Sequence, residues 1–357
     1  MPMDAEARER YVQELIRECK ANFTSIDTIY FGGGTPSLLE IEQIERILEE
    51  VRRNYTIDTG SEITIEVNPA TLGETDEQIL DKLKSYRRMG INRLSMGVQS
   101  MSDDVLKYLG RIHNAGDVRR DYKLAREAGF DNINLDLILS VPYGKDPMAQ
   151  AVSDVKSLIG MNPEHISCYS LQLEEDTPFY NMYQRGELQE LDDELDRKIY
   201  HKVCDILKEA GYEHYEISNF AKPGKESRHN SKYWDMSEYV ALGLGASGFV
   251  GGVRYQNTSD MDKYLAGEYL ADEHQNTERD NISEAVFLGL RRNRGIRYDE
   301  VFCEDKDAEQ EFWDYYADVR MDAEDFVKSG HLIIDNEGMH LTEKGIDISN
   351  KIMALFV

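Results

Sequence analysis

Phe31-Gly32-Gly33-Gly34-Thr35-Pro36 follows a β-branched apolar run and precedes a helical pattern. Glycines at such a turn permit φ > 0 and let the backbone come close to a ligand. The stretch is neither GxGxxG nor GxxxxGK[ST], so it is not a phosphate cradle of those kinds. Polar groups recur at later strand ends: Glu66 in IEVNP, Gln99 in RLSMGVQS, Arg111 in LGRIHN and Asp136 in NINLDLIL. Together they offer a carboxylate for sugar hydroxyls, an amide, a guanidinium for a carboxylate, and a second acid. Taken singly, each reads as structural: a tight turn, a buried capping acid at Asp136, a surface charge at Arg111. Placed in or just after successive strands they are harder to dismiss, because each costs free energy if buried without a partner.

A second stretch, His229-Asn230-Ser231-Lys232-Tyr233-Trp234, reads as a loop. The neutral imidazole of His229 can serve as an axial iron ligand, and Tyr233 and Trp234 can stack on a porphyrin face. A lone loop histidine more often only hydrogen-bonds, and His113, shortly before a helix, reads as a surface or capping residue. The cysteines, Cys19, Cys168, Cys204 and Cys303, are too scattered for a CxxC-type metal pair. Cys19 and Cys204 fall in amphipathic helical patterns and Cys168 in a strand, where a buried reduced thiol is expected.

Strand-like runs at 26–31, 62–67, 92–97, 132–139 and 165–171 alternate with helical patterns near 4–20, 38–53, 75–89, 116–128, 149–160 and 189–210. The spacing of Ile41, Ile44, Ile47, Leu48 and Val51 lays a helix against a sheet, and Thr75 before Asp76-Glu77-Gln78 caps another. Such alternation implies an α/β fold of parallel strands with right-handed crossovers, and open sheets and barrels alike bind ligands at strand C-termini. From 216 the pattern changes to glycine, aromatic and polar residues, a connecting region with function on its loops. Helices at 283–292 and 308–328, a hairpin around Asn336-Glu337-Gly338 and a helix at 343–355 suggest a winged-helix-like α+β cap. The expected organisation is 1–215, a barrel; 216–280, the connection; and 281–357, the cap.

The net charge of −27 disfavours nucleic acid, and the densest basic run, Arg291-Arg292-Asn293-Arg294, ends a helix, where cations complement the carbonyl end. No apolar run approaches the roughly 18 residues of a membrane span. The opening MPMDAEARERYVQ has no apolar signal core, so a cytoplasmic protein, not an integral membrane one, is expected.

In order, GGGTPSLL, IEVNP, NRLSMGVQS, LGRIHN, NINLDLILSVP, YSLQLEEDTPFY and YEISNFAKPG resemble the radical S-adenosylmethionine (SAM) proteins related to oxygen-independent coproporphyrinogen III oxidase. The closer likeness is to their heme chaperone branch, HemW, whose heme-binding signature the HNxxYW stretch matches. The resemblance implies a partial (β/α)6 barrel with S-adenosylmethionine across the strand C-termini. Gly34 and Thr35 would then hold its methionine amino end, with Gly33 also binding the cofactor, Glu66 and Asp136 would face the ribose, and Gln99 and Arg111 the polar methionine end. His229, Tyr233 and Trp234 would contact heme, with His229 a candidate iron ligand. The implied function is to bind heme and deliver it to an acceptor protein, such as a respiratory membrane complex.

The same resemblance implies a first strand and a CxxxCxxC loop holding a [4Fe–4S] cluster, and this sequence begins at what looks like the helix just after that loop. With no cysteine placed to substitute, cluster-dependent radical chemistry is not expected of the chain as given. A truncated gene reading explains this most simply, and a cluster-free descendant is the other explanation. Loss of that strand would also bare the edge of 26–31. The glycine segment GLGASGFV lacks a histidine that many relatives carry there. The alternative function, a coproporphyrinogen III oxidase-like enzyme of porphyrin biosynthesis, fits less well because the oxidases carry a longer N-terminal arm and this chain carries HNxxYW.

Overall fold

Five strands lie side by side, parallel and in chain order: β1 (Ser25–Phe31), β2 (Thr56–Val67), β3 (Arg93–Gln99), β4 (Ile133–Leu139) and β5 (His165–Ser170). The structure is a computed structural model and describes residues 4–20, 25–175, 177–302 and 308–357. Helices Ile41–Asn54, Asp76–Arg88, Ala115–Glu127, Pro147–Met161 and Asp193–Glu209 belong to the intervening crossovers and to the connection that follows β5. The result is an α/β half-barrel: the alternation of patterns predicts the parallel α/β arrangement, and the family resemblance implies its curling into part of a barrel. Two antiparallel strands extend it: β6 (Glu213–Glu216) and β7 (Asn219–Ala221), with β7 paired to β5. They were not legible because each is too short to show a period of two.

Local chemistry starts each helix where the sequence places it. Thr75 and Gln78 form a reciprocal capping box, Asn114 accepts from the N–H groups of Gly116 and Asp117, and Asp146 accepts from Ala149. Each helix then buries one apolar stripe. Ile44 and Leu48, Leu83, Val118, Val155, and Ile199 and Val203 are solvent-free and join one core with Ile65, Leu94, Leu135 and Ile166 of the strands. Each such side chain contributes about 1.5–3 kcal/mol.

Among the described residues β1 is the last strand on its side of the sheet. Asp27 there pairs with Arg228 and Lys232, and charge on an edge strand discourages further pairing. The described cysteines are single buried thiols: Cys19 packs with Val51 and Tyr55, Cys168 lies in β5 and Cys204 in the Asp193–Glu209 helix. Burial pushes the thiols of Cys19 and Cys204 up, to about 11 and about 12. Cys303 lies outside the described residues.

The stretch 216–280 holds more regular structure than its composition suggests. Strands β8 (Ser247–Val250), β9 (Val253–Asn257) and β10 (Leu270–Gln275) form an antiparallel sheet. RHNSKYW forms a helix, Arg228–Trp234, rather than a loop. Further on, β11 (Ile296–Arg297), β12 (Leu332–Ile334) and β13 (Gly338–Leu341) pair antiparallel, with the expected hairpin between β12 and β13. The helical pattern at 308–328 divides into Ala308–Tyr315 and Arg320–Lys328. That at 343–355 breaks at Ile348, whose φ of −122° leaves the helical range. Arg291 lies over the Trp234 ring and Arg292 and Arg294 pair with Glu300, so these cations serve packing. Among the described residues no helix is long and apolar enough to cross a membrane.

His214 ties β6 to the core. Its ring stacks on Phe220 at 4.2 Å and Nε2 lies 3.3 Å from the Ile217 carbonyl. Burial, opposed by that bond, lowers its pKa to about 4, with Lys208 and Glu343 the nearby charges. The unfolded value is about 6.5, so between these values the unfolded chain binds more protons and stability falls as pH falls. Relative to His214→Phe, the chain should lose up to about 3 kcal/mol between pH 7.5 and pH 4, and nothing above pH 7.5. Denaturant unfolding of both proteins at several pH values measures this, and parallel pH profiles would contradict it.

Candidate functional site

Strands alternate their side chains between two faces. In β1 to β5 one face is apolar and packed under helices, while the other carries Thr28, Tyr30, Glu62, Thr64, Glu66, Arg93, Ser95, Asn134, Asp136, His165, Ser167 and Tyr169. Register places Glu66 beside Ser95, Ser95 beside Asn134, and Asn134 beside His165. The concave face of the half-barrel is therefore polar.

At the strand C-termini a cavity of about 230 Å³ is lined by Gly34, Thr35, Glu66, Asn68, Ser95, Gln99, Arg111, Asp136 and Tyr169, among others. The structure thus gathers Gly34 and Thr35 of the turn, the four polar groups and three residues not anticipated from sequence, Asn68, Ser95 and Tyr169. Gly33 and Gly34 have φ of +74° and +76°, with open space where a Cβ would project. Gly32 admits a close approach instead, since a Cβ there would lie 2.6 Å from the Tyr30 ring. Asn68 donates to Thr35 Oγ1 at 3.1 Å, and Gln99 accepts from the Tyr169 hydroxyl at 3.2 Å. Gln99 is buried at φ +69°, a strained conformation for a residue with a Cβ. His113 is neither a surface nor a capping residue: it is buried, with Nε2 3.1 Å from the Val98 carbonyl, and so pins the Arg111 loop beside Gln99.

Burial pushes the carboxyls of Glu66 and Asp136 upward in pKa. Glu66 accepts from Tyr30 Oη at 2.8 Å and from the Gly33 N–H, and the charge of Asp136 raises it further. Asp136 accepts from Asn134 Nδ2 at 2.6 Å and from Ser167. Two acids facing one cavity repel when both are ionised, so the pair favours a ligand that donates hydrogen bonds or carries positive charge.

His229, Tyr233 and Trp234 do not line this cavity. Their helix lies against β1 and is tied to β2 through Glu62, away from the strand C-termini. Its first N–H groups are capped by a strand carboxylate: Glu62 accepts from the N–H of Arg228 at 3.1 Å and of His229 at 3.0 Å. Ser227 Oγ also accepts from Asn230. His229 is half-buried, its ring stacked on Tyr30 at 5.0 Å, with Nδ1 2.9 Å from Thr28 Oγ1 and Nε2 2.9 Å from Tyr233 Oη. Burial lowers its pKa to about 4, so the ring is neutral at physiological pH. Tyr233 also meets Trp234 and Tyr239 edge-on, and Trp234 lies under Arg291 at 4.6 Å.

A neutral imidazole is a competent iron ligand. To use Nε2, however, the Tyr233 hydroxyl must give way. The cavity suits a polar ligand with hydroxyls and a carboxylate, since Glu66 and Asp136 accept and Arg111 donates. Among the described residues no group of three or more His, Cys, Asp or Glu is gathered to hold a metal ion.

Sequence reading passed over Tyr30, Arg93, Asn134 and His165, which lie on the concave face beneath or between the two clusters. The signal was present as polar residues at alternate positions in T-I-Y-F, R-L-S-M, N-L-D-L and H-I-S-C. Strands of a parallel sheet buried on both faces are instead near-continuously apolar.

The radical SAM superfamily profile matches residues 3–154 and the HemN C-terminal domain profile matches residues 276–348. The heme chaperone HemW of Lactococcus lactis is 33% identical over 359 residues, covering 99% of this chain and 91% of that one. That of Bacillus subtilis is 33% identical over 355 residues, 97% and 89% of the two chains. Among solved structures, the radical SAM enzyme coproporphyrinogen III oxidase (HemN) of Escherichia coli superposes with a TM-score of 0.81 at 23% identity, covering 98% of this chain and 82% of that one. At that identity the likeness is one of fold.

Proposed function

This chain belongs to the HemW family of radical SAM proteins, and on that premise we propose that it binds heme and passes it to an acceptor protein. The observation that carries the reading is His229: a neutral imidazole at the start of a helix whose N-terminus Glu62 caps, with aromatic Tyr30 and Tyr233 beside it. Tyr233 screens the imidazole until heme arrives, and Trp234 holds the helix through Arg291. The acceptor, in this reading, is a heme-requiring protein such as a respiratory membrane complex.

The strand-end cavity is assigned to S-adenosylmethionine. Gly34 and Thr35 face its amino end, with Gly33 behind them bonded to Glu66; Gln99 and Arg111 face its carboxylate, and Glu66 and Asp136 the ribose hydroxyls. Bound there, the molecule supplies a positive sulfonium centre and a diol to two half-buried acids. The part of these residues is to orient it and to exclude water.

A hemin titration of the 357-residue chain, followed at the Soret band, tests the heme reading. Saturable binding is expected, weakened at least about tenfold in His229→Ala, since an iron ligand is lost. A folded chain that does not bind hemin, or a variant that binds it unchanged, would overturn the reading.

A further inference from the structure

Tyr30 touches both clusters. Its hydroxyl donates to Glu66 Oε1 at 2.8 Å, and Glu66 lines the strand-end cavity. Its ring stacks on the His229 imidazole at 5.0 Å with planes 22° apart. Gly32 admits the arrangement, because a Cβ there would lie 2.6 Å from the Tyr30 ring and 3.2 Å from Glu66 Oε1. One side chain therefore spans the distance between a cavity for a hydroxyl-bearing ligand and the imidazole assigned to iron.

We propose that Tyr30 is a positioning residue that couples the two sites, so that a diol-bearing ligand on Glu66 releases His229 for heme. A vicinal diol presents two donors to one carboxylate, and its best bidentate geometry engages both oxygens. Oε1 is then taken from the Tyr30 hydroxyl, which makes no other hydrogen bond to the described residues. A half-buried hydroxyl left without a partner favours rotation of the ring towards water. His229 thereby loses its stacking surface and keeps only the Thr28 and Tyr233 hydroxyls. Its Nε2 becomes easier to withdraw from Tyr233 and present to iron. Without the cavity ligand, the stack and both hydrogen bonds hold the ring in place. Linkage makes the effect reciprocal: heme must raise affinity for the cavity ligand by the factor by which that ligand raises affinity for heme.

A second polar route joins the same places. Asn134 donates to Asp136 at 2.6 Å and its Oδ1 lies 2.6 Å from His165 Nδ1. His165 Nε2 lies 2.8 Å from Tyr215 Oη, which accepts from the N–H of Ser227, the cap of the His229 helix. This route ends on the helix backbone rather than on the imidazole, and it holds the helix without touching the ring. The two routes are separable by substitution.

The inference rests on the heme reading of His229, and one set of titrations distinguishes the failure of each. Hemin is titrated into the 357-residue chain with and without millimolar S-adenosylhomocysteine, which carries the diol and needs no iron. Calorimetry follows the same nucleoside with hemin-free and hemin-loaded protein. In the unmodified chain each ligand should tighten the other by about fivefold, the lower end of common coupling factors. Tyr30→Phe keeps the ring but removes both the bond to Glu66 and the hydroxyl that would seek water, so the response of hemin affinity to nucleoside should vanish. Thr28→Val and Tyr215→Phe leave the Tyr30–Glu66 bond intact and should keep the coupling. Independent binding in the unmodified chain, no binding of the nucleoside, or coupling that survives in Tyr30→Phe would overturn the proposal. Hemin binding that is absent or indifferent to His229→Ala overturns the heme reading itself, and the proposal with it.

Discussion

Replacing Asp154 by alanine is expected to destabilise the chain by about 3 kcal/mol and to weaken ligand binding in a cavity that Asp154 does not line. Asp154 sits in the Pro147–Met161 helix and is almost solvent-free. Its carboxylate accepts from Ser100 Oγ at 2.7 Å, the Met101 N–H at 3.0 Å and Gln150 Nε2 at 2.9 Å. Ser100 is fully buried, so alanine leaves a hydroxyl and an N–H without partners, each costing about 1–3 kcal/mol. Removing a buried acid whose own pKa is pushed up returns part of this, which holds the sum near the lower end. The functional consequence follows from sequence adjacency. Ser100 and Met101 anchor the residues after Gln99, whose φ of +69° persists only while its surroundings enforce it. Freed from Asp154, Gln99 can relax and withdraw its amide from Tyr169 and the cavity. Denaturant unfolding reads the first effect and nucleoside calorimetry on the folded fraction the second. Asp154→Asn, which keeps an acceptor, should fall between. An alanine variant of unchanged stability would show that the three hydrogen bonds contribute little net.

Gly345→Ala is expected to destabilise the chain by about 3 kcal/mol, against the ordinary preference of helices for alanine by about 1 kcal/mol. Gly345 lies within the short Glu343–Asp347 helix, and its N–H donates to the Thr342 hydroxyl that caps it. A Cβ there would stand 1.9 Å from the His331 carbonyl oxygen and 3.4 Å from Leu341 Cβ. The oxygen cannot step aside cheaply, because it accepts from the Thr342 N–H at 3.0 Å where β12 and β13 come together. The helix must therefore lift from the hairpin, exposing Ile346, or the hairpin must open. Thermal or denaturant unfolding should show the loss, and a gain in stability would mean that the hairpin yields more readily than backbone contact implies.

Legibility followed the range of the interactions that form each element. The long amphipathic helices were readable because spacing such as Ile44, Ile47, Leu48 and Val51 records which face is buried. Their starts were readable because a cap such as Thr75 acts on an N–H three residues away. Short elements such as β6, β7 and Arg228–Trp234 are held from afar: Glu62 of β2 caps a helix that begins at residue 228. Nothing local in RHNSKYW distinguishes a loop from a helix stabilised in that way.

The sequence by itself determined part of the strand-end cavity, because the ends of successive parallel strands converge whatever the details of packing. Gly34, Thr35, Glu66, Gln99, Arg111 and Asp136 could thus be grouped while the separations between them in the chain remained large. It also determined the type of group at His229. Only the tertiary structure decided how these parts relate. Register between β1 and β2 sets Thr28 beside Glu62 and Tyr30 beside Thr64, and this places one aromatic ring between the cavity and His229. The physical reason is that a strand's pattern states which residues share a face, whereas the neighbours across that face depend on register and curvature, which pairing with other strands imposes.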